Sequence, residues 1–224
     1  MSTDLARYID HTNLKPDATR ADIEKLCAEA ADYNFFSVCV NSSRVALAHH
    51  LLEDSDVQVC SVVGFPLGAM DADAKRYETE CAVDLGANEI DMVLNVGRFK
   101  DGEDDYVVRE IRDIVEAADD RVVKVILETC LLTRDEITRA CTLATKAEAH
   151  FVKTSTGFGG GGATVEDVAA MRQAVGQAAG VKASGGIRDA KTALAMIDAG
   201  ATRLGCSSGV SIVSGTDSPV AGRY

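Results

Sequence analysis

No apolar run in this 224-residue chain approaches the roughly 18–20 residues that a helix needs to cross a bilayer. The first residues, Met-Ser-Thr-Asp-Leu-Ala-Arg, hold no apolar signal core, so export is not expected and a cytoplasmic location is. Positive charge is scarce. Lys and Arg total 23 against 35 Asp and Glu, a net charge of −12. Such a chain repels phosphodiester backbones and anionic lipids, which argues against nucleic acid and membrane partners. Asp (22) outnumbers Glu (13). That bias fits work at high salt, where screening removes self-repulsion, and fits an ordinary acidic protein equally well. Signals for covalent or metal crosslinks are missing too. The seven cysteines (Cys27, Cys39, Cys60, Cys81, Cys130, Cys141 and Cys206) are odd in number and form no C-x-x-C. They read as buried thiols in a reducing compartment. The four histidines show neither H-x-x-x-H nor H-E-x-x-H spacing, so no metal centre is expected.

What the chain does have is alternation. At 46% apolar residues it can bury a full core. Strand-like runs fall at 8–14, 36–41, 57–64, 89–94, 122–128, 150–155, 180–184 and 202–206. Between them lie amphipathic stretches at 18–32, 44–52, 72–85, 105–117, 134–146, 165–177 and 190–199, each long enough for a helix. Asp17 is a candidate N-cap for the first, Thr133 precedes an acidic first turn, and Gly86, Gly180 and Gly200 stand where helices end. Eight β-then-α units with no break in composition predict an α/β fold, a single-domain TIM (β/α)8 barrel over residues 1–212, with a flexible tail over 213–224. An open doubly wound sheet is expected to carry a glycine-rich turn after its first strand, and that place holds Leu14-Lys15-Pro16.

Strands of a closed parallel barrel are covered on both faces and should be nearly all apolar. The polar residues within them are therefore informative: Asp10 and Thr12, Asn41, Asp91 and Asn95, Lys124 and Glu128, Lys153 and Ser155, Lys182 and Ser184. Residues two apart share a strand face, and the face available to these is the barrel interior. Three of only nine lysines (Lys124, Lys153 and Lys182) lie in such strands. Burial penalises an ammonium group, and a neutral lysine captures carbonyls as Schiff bases. Lys153 has the more enclosed sequence and is the candidate nucleophile, with Lys182 its electrostatic partner; composition leaves the reverse assignment open. Glycine-rich turns at Ser184-Gly185-Gly186 and Cys206-Ser207-Ser208-Gly209 follow strands 7 and 8, where barrels often bind phosphate. The Gly157–Gly162 run could add amides or serve as a lid.

Together these residues resemble the deoxyribose-phosphate aldolase family over nearly the whole chain. The matching segments are Ile9-Asp10-His11-Thr12-Asn13-Leu14-Lys15-Pro16, Val38-Cys39-Val40-Asn41, Val63-Gly64-Phe65-Pro66-Leu67-Gly68 and Glu89-Ile90-Asp91-Met92-Val93-Leu94-Asn95. They continue as Lys124-Val125-Ile126-Leu127-Glu128-Thr129, Phe151-Val152-Lys153-Thr154-Ser155-Thr156-Gly157-Phe158 and Val181-Lys182-Ala183-Ser184-Gly185-Gly186. The resemblance implies a TIM barrel and a class I aldolase without metal or other cofactor. Such enzymes reversibly cleave 2-deoxy-D-ribose 5-phosphate to D-glyceraldehyde 3-phosphate and acetaldehyde, in deoxyribonucleoside catabolism. It further implies Lys153 as the Schiff-base lysine, Asp91 as the proton-transfer group and Lys182 as the second lysine. Asp10, Thr12 and Lys124 match further site positions, and Gly157, Gly185, Gly186, Ser207 and Ser208 match phosphate-binding positions. Tyr224 matches a C-terminal tyrosine that shuttles protons in some members, and Cys39 matches a cysteine that aldehydes attack in some relatives. The expected partners are a phosphosugar and acetaldehyde, with a homo-oligomer as a candidate assembly. Two alternatives stand beside this reading: another Schiff-base barrel aldolase acting on a ketose phosphate, and a non-catalytic sugar-phosphate-binding barrel.

Overall fold

The computed structural model describes residues 4–215. Eight parallel strands close into a barrel in chain order: β1 (Ile9–Asn13), β2 (Ser37–Val40), β3 (Gln58–Val63), β4 (Glu89–Val93), β5 (Val122–Ile126), β6 (Phe151–Lys153), β7 (Gly180–Ser184) and β8 (Arg203–Cys206). The last strand returns to the first through Ile9–Leu204, Asp10–Gly205 and His11–Cys206. Around them run α1 (Arg20–Asp32), α2 (Val45–Leu51), α3 (Ala72–Asp84), α4 (Val96–Lys100), α5 (Asp104–Ala117), α6 (Arg134–Lys146), α7 (Val165–Val175), α8 (Ala190–Asp198) and α9 (Gly209–Ser214). Each of the eight expected strands and seven expected helices is present. Among the described residues no helix is long and apolar enough to span a membrane.

Local chemistry accounts for the boundaries, with three corrections to the sequence reading. Helix α1 is capped by Thr19, not Asp17: the Thr19 hydroxyl accepts from the Asp22 N–H and the Asp22 carboxylate accepts from the Thr19 N–H, a reciprocal capping box. Thr133 and Glu136 repeat the device on α6. Helix α7 ends at Gly176, whose φ of 54° suits a residue without a Cβ, whereas Gly180 already belongs to β7. The segment expected to be tail from 213 begins inside α9, which runs through Val213 and Ser214; the remainder of that segment, from 216 with Tyr224, lies outside the described residues.

Alternation along each strand stacks the barrel interior in layers drawn from alternate strands. Near the strand N-termini, the even strands supply Ser37, Glu89, Phe151 and Arg203. Above them, the odd strands supply Asp10, Cys60, Lys124 and Lys182. A third layer holds Cys39, Asp91, Lys153 and Gly205. Such layers are ordinarily Val, Ile and Leu. Here they are ionic, and the aliphatic core lies instead between strands and helices, built from residues such as Ile23, Val38, Ile90, Ile111, Val125, Val181 and Leu204. Gly205 leaves room for its neighbours, since a Cβ there would stand 3.0 Å from Lys182 Cε and from Ser184 Cβ.

A fourth buried lysine lies outside the barrel. Lys75 of α3 donates to the Val93 carbonyl at 3.0 Å and pairs with Glu110 of α5 at 3.0 Å, with both side chains fully buried. Burial pushes the Glu110 carboxyl up, and Lys75 pulls it partly back. The pair clamps two helices to the end of β4. Lys75→Met strands the Glu110 charge and is expected to cost about 3–5 kcal/mol in chemical denaturation, while Lys75→Met with Glu110→Leu recovers most of it. A cost under 1 kcal/mol for the single change would show that the clamp carries little.

Candidate active site

The strand C-termini open into a cavity of about 850 Å³. Its wall includes Thr12, Lys153, Gly157, Gly185, Gly186, Ser207 and Ser208. Asp10, Asp91, Lys124 and Lys182 lie beneath that wall, fully buried. The strand-face argument therefore brings these side chains together. Asp91 is the centre. Its Oδ1 accepts from Lys124 Nζ at 2.8 Å and from Cys60 Sγ at 3.2 Å, and its Oδ2 accepts from Lys153 Nζ at 2.8 Å and from Lys182 Nζ at 2.7 Å.

The other lysine contacts separate the three roles. Lys124 also donates to Glu89 Oε2 at 2.6 Å, and Lys182 also pairs with Asp10 Oδ2 at 2.5 Å. Arg203 closes the floor: its Nη1 lies 2.8 Å from Asp10 Oδ1 and 3.0 Å from Glu89 Oε2, and its guanidinium stacks 3.4 Å above the centroid of the Phe36 ring. Lys153 pairs with Asp91 among the described carboxylates, and it alone of the three lysines reaches the cavity wall.

Burial opposes the charges on Lys124, Lys182, Asp91 and Asp10, and their partners outweigh it. Lys124 is held well above the ordinary lysine range by Asp91 and its other anionic neighbours, and Lys182 is held up by Asp10 and Asp91. Asp91 is held well below the usual carboxylate range by Lys124, Lys153 and Lys182, and Asp10 is held low by Lys182 and Arg203. Lys182 is therefore held as a cation beside Lys153.

The sequence reading missed Glu89 and Arg203. Glu89 lies two residues before Asp91 on the same strand face, so the alternation rule could have found it. Arg203 is a charge inside a strand-like run, the same signal that exposed the lysines. Glu128 was grouped with Lys124 by that rule, but it leaves the cluster: its backbone is left-handed (φ 56°), and its carboxylate accepts from the N–H and hydroxyl of Thr156. Thr12 is half-buried at the wall and donates to its own strand's Asp10 carbonyl at 2.8 Å. Asn41 donates to the Leu14 carbonyl, and Asn95 caps α4.

The glycine turns after β6 and β7 meet at the cavity wall. Gly157, Gly185 and Gly186 have φ of 88°, 86° and 82°. The Gly157–Gly162 run is anchored where the Ala163 N–H donates to the carbonyls of Ser184 and Gly185, each at 3.0 Å. Ser207 and Ser208 follow β8 and lead into α9. Buried ammonium at the floor, with backbone donors and hydroxyls at the rim, suits a small carbonyl compound carrying an anionic end.

Residues 5–215 match the DeoC/LacD family aldolase. The chain belongs to this aldolase family. It is 61% identical over 211 residues to a deoxyribose-phosphate aldolase of Bdellovibrio bacteriovorus, covering 94% of this chain and 96% of the relative. It is 58% identical to the enzyme of that name in Thermococcus gammatolerans, covering 95% of this chain and 96% of the relative. Among solved structures it superposes on a tetrameric deoxyribose phosphate aldolase from Aeropyrum pernix with a TM-score of 0.88 at 36% identity, covering 94% of this chain and 89% of that one.

The depressed carboxyls set the acid limb of stability. A carboxyl lowered on folding stabilises the protein above its unfolded value, ordinarily 3.8, and that contribution is lost as pH falls from there toward the folded value. The stability difference between the wild type and Asp10→Asn should therefore be constant from pH 7 to about 5 and shrink below about 4. Urea midpoints across that range test it; a difference that stays level down to pH 3 would contradict the pairing of Asp10.

Proposed function

We propose that the protein reversibly cleaves 2-deoxy-D-ribose 5-phosphate to D-glyceraldehyde 3-phosphate and acetaldehyde through a Schiff base on Lys153. The observation that carries this reading is the position of Lys153: it reaches the cavity wall while its Nζ shares Asp91 Oδ2 with Lys182. The family membership and the curated relatives support the same substrate.

Charge balance supports Lys153 as the nucleophile. With Lys124, Lys182 and Arg203 charged against Asp10, Glu89 and Asp91, the cluster sums to 3 − 3 = 0 when Lys153 is a free amine. The nucleophilic form thus leaves no uncompensated charge in the barrel. Lys153 adds to the C1 aldehyde of the open-chain sugar, and the carbinolamine hydroxyl takes up a proton from solvent and leaves as water to give an iminium. The iminium draws the electron pair of the C2–C3 bond as Asp91, through water, takes the C3 hydroxyl proton. Glyceraldehyde 3-phosphate leaves. The remaining enamine takes a proton at carbon, and water hydrolyses the new iminium to release acetaldehyde and the free amine. Gly157, Gly185, Gly186, Ser207 and Ser208 hold the phosphate, with Thr12 on the neighbouring strand β1. Lys182 holds positive charge beside the amine, and Tyr224 is the candidate carrier of the carbon proton.

Self-association belongs to this reading as well. A tetrameric relative is known, and Leu67, Met70 and Tyr77 stand exposed on this chain.

Acetaldehyde with borohydride should leave a permanent mass increase on the Lys153 peptide and none on the peptides of Lys124 or Lys182. Lys153→Leu should lose both the adduct and turnover. Asp91→Asn should keep the fold and lose about 10²–10⁴-fold in kcat. An adduct on Lys182, or turnover surviving in Lys153→Leu, would sink the assignment.

A further inference from the structure

The proposed reaction uses neither of two thiols that face each other inside the barrel. Cys39 and Cys60 are direct register partners across β2 and β3, both turned inward, both fully buried and both free. Their sulfurs and a carboxylate oxygen of Asp91 all lie within 4.8 Å of one another. Cys60 Sγ is 3.2 Å from Asp91 Oδ1 and 3.5 Å from Lys124 Nζ. Around the thiols close Leu14, Val62, Phe65 and Phe158. Among the described residues this is the one group of three candidate ligands spaced for a metal ion.

We infer that Cys39, Cys60 and Asp91 form a capture site for a thiophilic divalent cation of the Zn²⁺ and Cd²⁺ class, and that its occupation switches the aldolase site off. The spacing is close to what such an ion needs. A tetrahedral ion with bonds of about 2.3 Å to sulfur and about 2.0–2.2 Å to oxygen keeps its ligand atoms about 3.5–3.8 Å apart. Side-chain rotations that close the trio by about an ångström therefore bring three of the four ligands into place, and a water takes the fourth position. Two thiolates with one carboxylate favour soft or borderline ions over Mg²⁺ or Ca²⁺.

The neighbouring lysines do not forbid this binding. The ion brings two positive charges, two thiol protons leave to solvent as two metal–sulfur bonds form, and the formal charge of the cluster is unchanged. No electron is transferred. The third bond replaces an existing contact: Asp91 Oδ1 gives up its hydrogen bond from Lys124, and Lys124 keeps Glu89 at 2.6 Å. A carboxylate tied to the ion is lost as a proton acceptor, so capture and turnover exclude each other. That last link rests on the proposed function. The binding itself does not.

The test uses the reduced full chain, cleared of metal with a chelator and titrated with Cd²⁺. One equivalent should bind with release of about two protons and a near-ultraviolet thiolate-to-cadmium band. Turnover should fall in step and return when the chelator is restored. Loss of an outer-sphere partner alone commonly costs about 10–100-fold in metal affinity, so Cys39→Ala and Cys60→Ala should each weaken binding by at least that much. Cys130→Ser, which removes the exposed thiol, should leave this equivalent in place. Circular dichroism checks that each variant folds, and Cys39→Ser and Cys60→Ser provide versions closer in size. The inference is overturned by the absence of a bound equivalent or of the thiolate band, by binding retained when either thiol is removed, or by a bound ion that leaves turnover intact. Failure of borohydride trapping at Lys153 with the cadmium site present would instead remove the catalytic reading and leave the metal site standing.

Discussion

Two oxygens of one carboxylate, Asp91, hold three lysine amino groups and a thiol, and that sharing organises the whole interior. Each lysine is distinguished by what else it holds. Lys124 has Glu89, Lys182 has Asp10, and both are fixed as cations. Lys153 faces the cavity instead of a second carboxylate. An isolated ammonium at this depth would cost several kcal/mol to desolvate. Here the cost is offset pair by pair, down to the Arg203 guanidinium that joins Asp10 and Glu89 at the floor. Such a network need not add stability over an apolar core. It fixes which atoms stand where, and the aliphatic shell between strands and helices stabilises the fold.

The layered barrel explains why the chemistry lies on these strands. Inward positions come two residues apart, and adjacent strands alternate between layers. Asp91 and Lys153 share the upper ionic layer, whereas Lys124, Lys182 and Asp10 lie one layer down. The proposed nucleophile is thus the lysine that reaches the cavity wall, and Lys124, Lys182 and Asp10 lie below it, fully buried. Gly205 leaves room beside Lys182, where a Cβ would stand 3.0 Å from its Cε. The glycine turns after β6 and β7 and the serines after β8 stand at the rim for the same topological reason: the strand C-termini are where loops can face a ligand.

Much of this was legible because a buried parallel strand tolerates few polar residues. Asp10, Asp91, Lys124, Lys153 and Lys182 stand out in apolar runs, and the fold brings all five together. Other features depended on geometry that spacing does not carry. Alternation from Lys124 would keep Glu128 on the same face, but the left-handed backbone at Glu128 turns it to Thr156. Lys75 and Glu110 sit on amphipathic helices, where charge ordinarily means solvent. Their burial shows only in register: Lys75, Thr79 and Ala82 form the buried stripe of α3, and Glu110 lies beside Val107, Ile111 and Ile114 on α5. Thr19 displaced Asp17 as a cap because its partner Asp22 stands three residues on, a reciprocal contact that neither residue signals alone. Glu89 and Arg203 were within reach of the same rule that found Asp91, since each is a charge on an inward strand position.

The tightness with which Asp91 is held raises a chemical question. A carboxylate kept well below the ordinary range is a weak base at rest. In the proposed cleavage it need not act at rest. While the iminium exists, the Lys153 nitrogen is positive and the cluster carries 4 − 3 = +1. As the C2–C3 bond breaks, its electron pair neutralises that nitrogen, and Asp91 loses one of the three positive neighbours that depressed it. A proton arriving from the C3 hydroxyl restores the missing charge, so the cluster is +1 before and after. The affinity of Asp91 for a proton thus rises as the bond cleaves, without movement of Lys124 or Lys182. The carboxylate that anchors the resting site becomes a base in the step that needs one, because the electron pair of the breaking bond removes the charge that had kept it acidic.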